Sequence, residues 1–166
     1  MKLSIEELFL DTEAAEPEPM KREEILEQYQ RAFTIINRKL FNNELPPIEI
    51  DYPKGDPKEW GEGLACFIQY IDKSAPPYIL LQFQDPPEWG ISKDDINSLF
   101  HELIHYYCYL HDIKDMDRDK DPQYHNKEFK RITEGYGATC EYTGDKYGYS
   151  YTNLPDSILT EIFDEI

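Results

Sequence analysis

Residues 92–111 read Ser-Lys-Asp-Asp-Ile-Asn-Ser-Leu-Phe-His-Glu-Leu-Ile-His-Tyr-Tyr-Cys-Tyr-Leu-His, and no other stretch limits the fold as much. Ile96, Leu99, Phe100, Leu103, Tyr107 and Leu110 recur at spacings of three and four, which predicts a helix with a wide apolar stripe. Ser92 and Asp95 have the spacing of a capping box at its start. A helix that apolar belongs deep in a core, so the other elements must pack around it. Its centre nevertheless carries His101, Glu102 and His105. Buried polar groups need partners, so the surrounding fold must satisfy two imidazoles and a carboxylate.

His101-Glu102-Leu103-Ile104-His105 is an HExxH pattern. Residues four apart lie on one face of a helix, so both imidazoles can converge on one Zn²⁺. Glu102, offset around the helix, can reach a water on the metal and take its proton as general base. A catalytic zinc needs a third protein ligand and an open position. His125, in Tyr124-His125-Asn126-Lys127-Glu128-Phe129, is the leading candidate, because a helical return beside the first helix would deliver it. Glu128 and Glu134 are the rivals and would give a two-His, one-Glu site. His111 lies six residues past His105, points off the metal-facing side, and reads as a helix-end histidine.

The remaining pattern is a set of helices and strands that segregate without βαβ alternation, which makes the class α+β. Ile25, Tyr29, Ala32, Phe33, Ile36 and Leu40 predict a helix from Lys21, stopped by Asn42-Asn43 and Pro46-Pro47. Strands are expected over 48–52, 64–71 and 78–83, a helix over 126–134, strands over 138–142 and 147–152, and a last helix opening at Pro155. Residues 1–20 read as an acidic, proline-bearing tail behind a short helical turn, and 21–166 as one domain.

The chain has 166 residues and a formal charge of −17, which disfavours unassisted binding to DNA, since phosphate contacts need cations. Lys127, Lys130 and Arg131 form the one basic cluster near the motif, and a solvated helix face explains them equally well. No apolar run is long enough to span a membrane, the first residues have no signal-peptide pattern, and three scattered cysteines form no CxxC. The expectation is a soluble cytoplasmic protein with reduced thiols. The Asp115–Asp121 loop alternates carboxylates with Lys and Arg and lacks the turn glycine of a calcium loop, so it reads as charged and solvated. Tyr106, Tyr107, Tyr124 and Tyr136 are the candidates for stabilising an oxyanion.

HELIHYY followed by YHNKEFKRI resembles the SprT-like family of zinc metalloproteases, which includes bacterial SprT and the eukaryotic protease Spartan. LFNNELPPIEI upstream is also similar to the family's pattern, so the resemblance spans roughly residues 25–149. It implies that His101, His105 and His125 bind zinc, that Glu102 is the catalytic base, and that the fold is a small zincin. That fold packs helices on a short, mostly antiparallel sheet, with the HExxH helix in the core. It implies a protein substrate, lying along the sheet edge beside that helix, and raises DNA-crosslinked protein as a substrate class. Asn126 stands where the family usually has glycine, Phe129 is kept, and with only Cys140 beyond the active-site region no four-cysteine ribbon is expected there. The alternative is a zinc-stabilised acidic domain that binds a partner or mimics nucleic acid without proteolysis. Oligomeric state is not legible.

Overall fold

The structure is a computed structural model, and it describes residues 20–51, 65–68, 74–81 and 90–166. The predicted N-terminal turn and acidic linker lie outside these residues. The protein is α+β. Helix α1 (Arg22–Leu40) leads into strands β1 (Glu49–Asp51), β2 (Ala65–Ile68) and β3 (Tyr78–Leu81), followed by helix α2 (Lys93–Leu110). Helix α3 (Lys127–Gly135), strands β4 (Thr139–Glu141) and β5 (Tyr151–Asn153), and helix α4 (Asp156–Phe163) complete the chain.

Helix α1 ends where Asn42 and Asn43 take positive φ, a region asparagine tolerates better than most residues. Asn37, buried on its last turn, accepts from the Leu45 N–H at 3.1 Å and donates to the Leu45 carbonyl at 2.8 Å, fixing the exit of the chain. The three-stranded sheet has the order β1-β3-β2. β2 takes an outer place and turns the chain back, so β3 returns between its predecessors. β3 therefore runs parallel to β1 and antiparallel to β2. The β4–β5 pair is antiparallel, so the expected antiparallel character holds for two of the three pairings.

α2 starts with the expected capping box: Ser92 accepts from the Asp95 N–H, and Asp95 from the Ser92 N–H at 2.7 Å. Asp95 also accepts from the Tyr29 hydroxyl at 2.9 Å, tying α1 to the head of α2 inside the core. Burial and the adjacent Asp95 charge push the Tyr29 phenol far above its ordinary range. The apolar stripe is wider than predicted. Ile104, Tyr106 and Cys108 are buried beside Ile96, Leu99, Phe100 and Leu103, whereas Leu110 is exposed. The reason is that α2 is packed from several sides, by α1, β2, α3, α4 and β5. Among the described residues, no helix is long and apolar enough to cross a membrane.

Candidate metal centre

His101 and His105 stand one turn apart on α2. His125 reaches them from an extended segment just ahead of α3. Its N–H donates to the Tyr147 carbonyl at 3.0 Å, and its carbonyl accepts from the Tyr149 N–H at 3.1 Å. These bonds make a parallel bridge to Gly148, and a second, antiparallel bridge joins His125 to Met116. Gly148 has φ +64°, and a Cβ there would lie 2.2 Å from the His125 carbonyl oxygen. Only glycine lets the two strands come this close. Asn126 caps α3 by accepting from the Glu128 and Phe129 N–H groups, while its side-chain amide donates to the Lys114 carbonyl at 2.7 Å.

The three histidines meet through their Nε2 atoms, at 3.1, 3.1 and 3.2 Å from one another. Their Nδ1 atoms are each held from behind. His105 Nδ1 lies 2.5 Å from the Asp115 carboxylate, His125 Nδ1 lies 3.0 Å from the Tyr147 carbonyl, and His101 Nδ1 lies 3.3 Å from the Thr152 hydroxyl. A carbonyl can only accept, so His125 carries its proton on Nδ1. An ionised carboxylate likewise accepts from the Nδ1–H of His105. His125 Nε2, and His105 Nε2 whenever that ring is neutral, therefore present bare lone pairs to each other. Such a triangle repels itself unless a cation sits among the lone pairs. Ligands ~2.0–2.1 Å from a tetrahedral Zn²⁺ would be ~3.3–3.4 Å apart, so the donor set fits a metal ion.

Phe129, fully buried, backs all three rings at centroid distances of 4.6 to 4.8 Å. Burial of this kind disfavours the charged form of an imidazole. Burial and the charge of His105 push His125 down to about 4, and burial with the neighbouring histidines holds His101 well below its ordinary value. For His105 burial acts in the same sense, but the Asp115 hydrogen bond and the charges of Glu102 and Asp115 outweigh it and hold the imidazole above its ordinary value.

Glu102 is 6% exposed, and burial raises its pKa despite opposing contributions from His105 and from the Phe67 N–H of β2. Beside it opens a cavity of about 430 Å³ between α2 and β5, lined by Asp94, Asn97, Ser98, His101, Glu102 and the Ser150–Thr152 segment. Glu102, with its raised pKa, and His101 thus line the open cleft, and His101 joins it to the three-imidazole cluster.

All four residues singled out from the pattern, His101, Glu102, His105 and His125, come together. The rivals do not. Glu128 pairs with Arg131 and Glu134 with Lys130 on the exposed face of α3. These ion pairs also neutralise most of the expected basic cluster. His111 caps the C-terminus of α2, with its ring 4.2 Å from Tyr107.

Two expectations are corrected. Asp115 does not belong to a solvated loop: its side chain is 13% exposed because it turns inward to His105, while Arg118, Asp119 and Lys120 stay outside. Of Tyr106, Tyr107, Tyr124 and Tyr136, none lines the cavity, whereas Tyr151 does. Tyr106 packs on Phe67, Tyr107 and Tyr136 on Phe41, and Tyr124 is buried beneath Lys120. Thr152 and the Tyr147 carbonyl carry no signature in sequence, since their role depends on how the β4–β5 hairpin folds back. Asp115 had a weak signal, as an acid ten residues past His105 within a loop that must return the chain to His125.

No protein-family model matches the chain, and no curated protein matches it.

Proposed function

We propose that the protein is a zinc-dependent endopeptidase of the SprT-like kind with a small zincin fold, acting inside the cell on protein substrates. The observation that carries this reading is the closure of three Nε2 lone pairs on one point beside a buried glutamate and an open cleft. His101, His105 and His125 would hold Zn²⁺. When bound, the ion supplies a Lewis acid and brings the pKa of a water down towards about 7.

Glu102 does the proton work. Its carboxylate is oriented by the Phe67 N–H and destabilised as an anion by burial, which suits a base that must take a proton from water near neutral pH. The water oxygen attacks the peptide carbonyl carbon, and the C–N bond breaks. Glu102 passes the proton it has taken to the departing amine nitrogen. Asp115, the Tyr147 carbonyl and the Thr152 hydroxyl keep the imidazoles aimed at one point, so this machinery is built before substrate arrives.

Phe129 backs the three rings, and His101 and Glu102 also line the open cleft. A purely structural zinc site would close with a fourth protein ligand, and no fourth His, Cys, Asp or Glu joins the group among the described residues. DNA-associated protein remains a substrate class only if DNA reaches the chain through a partner or a basic surface outside the α3 ion pairs. The test is cleavage of an unfolded protein such as casein, with and without single-stranded DNA, by zinc-loaded wild type and Glu102→Gln. Cleavage by the wild type alone supports the reading. Zinc binding without cleavage in any condition would favour the acidic binding domain instead.

A further inference from the structure

The hydrogen-bond partners of the three imidazoles differ in kind. Asp115 offers a charged acceptor and the Tyr147 backbone a carbonyl; neither has a proton to pass on. Thr152 offers a hydroxyl, which both accepts and donates. It is 9% exposed, sits on β5, and lines the cavity together with His101 and Glu102. Its hydroxyl has no hydrogen-bond partner other than His101 among the described residues.

The direction of that bond follows from the metal site. If the His101 Nε2 is to offer a lone pair to a cation, the ring proton sits on Nδ1, which must donate to the Thr152 oxygen. The hydroxyl then cannot donate back to His101. Its own proton is left to point elsewhere, and the cleft borders Thr152. A second link fixes β5 in place for this task. Asn97 of α2 donates to the Asn153 side chain at 2.7 Å and accepts from the Leu154 N–H at 2.9 Å, holding the residues just after Thr152 against the helix.

We propose that Thr152 is a substrate-contacting residue: its hydroxyl accepts from His101 Nδ1–H and donates its own proton to a carbonyl oxygen of the peptide lying in the cleft. Substrate contact and orientation of His101 are thereby joined in one side chain. This inference rests on the peptidase reading and adds to it a named polar contact with the substrate main chain.

The test separates the two roles of the hydroxyl. Zinc affinity is measured by competition with a chromophoric chelator for T152V, which keeps the shape and loses the hydroxyl, and for T152S, which keeps the hydroxyl. Peptide affinity is measured separately at saturating zinc by fluorescence anisotropy, using a fluorescein-labelled extended peptide and the Glu102→Gln background so that nothing is cut. T152V is expected to lose about tenfold in zinc affinity and about two- to tenfold in peptide affinity at full zinc loading. T152S should restore most of both losses. Equal peptide affinity of T152V and its parent at full loading would overturn the inference and leave Thr152 as a support for His101 alone. Absence of peptide binding by the zinc-loaded parent would overturn the peptidase reading itself, and this inference with it.

Discussion

Asp115 is the residue to perturb first, because His105 is the partner of its side-chain carboxylate. Its carboxylate lies 2.5 Å from His105 Nδ1, with the two side chains 13% and 11% exposed. A charge-assisted hydrogen bond in so dry a setting fixes the ring orientation and raises the basicity of Nε2. Removal of such a partner typically costs 10- to 100-fold in metal affinity, or about 1.4–2.8 kcal/mol. Asp115→Ala should fall at the upper end. Asp115→Asn, which keeps an acceptor oxygen without the charge, should fall at the lower end. The backbone bond from Asn126 N–H to the Asp115 carbonyl survives both changes, so the loop should hold its course. Chelator competition at neutral pH measures the zinc affinity, and urea unfolding of the metal-free proteins checks the fold. A folded Asp115→Ala protein that binds zinc within twofold of wild type would refute the reasoning.

Further outcomes follow from the same geometry. Gly148→Ala places a Cβ where the His125 carbonyl stands, so it should displace His125, and the variant should lose zinc in a metal-content assay while the far side of the core stays folded by hydrogen exchange. Asn126→Ala removes the α3 cap and the tie to Lys114, and should cost about 1–2 kcal/mol in urea unfolding, whereas Asn126→Gly should spare most of the cap contribution. The metal-free protein should lose stability on acidification. His125, held at about 4 when folded, titrates near ~6.5 when unfolded, so the unfolded state takes the proton first and stability rises with pH across that window, by about 3 kcal/mol for this residue. His105, held above its ordinary value, acts in the opposite sense, and its contribution fades as pH rises through its folded pKa. Urea midpoints of the metal-free protein that stay flat between pH ~4 and ~7 would contradict the burial of neutral His125.

Much of the fold and of the site is legible in the sequence. Helical periodicity located α1 and α2 to within about two residues, because each buries a continuous stripe and each has local start and stop chemistry, Asn42-Asn43 for one and Ser92–Asp95 for the other. The HExxH spacing named two of the three converging histidines and the buried glutamate for the same reason: four residues on a helix fix a direction. His125 was reachable because the chain must return past α2. The last predicted strand, 147–152, was displaced to Tyr151–Asn153 because Tyr147 and Gly148 are used in the bridge to His125, a pairing between segments more than twenty residues apart. Asp115 looked solvated because its neighbours Arg118, Asp119 and Lys120 are. Alternating charge identifies a loop, not which of its carboxylates turns inward. The width of the buried surface on α2 was underestimated since a one-dimensional stripe cannot show that β2, α3 and α4 cover the remaining sides.

If His101, His105 and His125 hold zinc and Glu102 works it, metal and activity must separate in one variant. The most direct measurement is zinc content and casein cleavage on the same preparations of wild type and Glu102→Gln. About one zinc per chain is expected in both proteins, with peptide-bond cleavage by the wild type only. Cleavage by metal-replete Glu102→Gln at the wild-type rate, or a fully zinc-loaded wild type that cuts nothing, would contradict this reading.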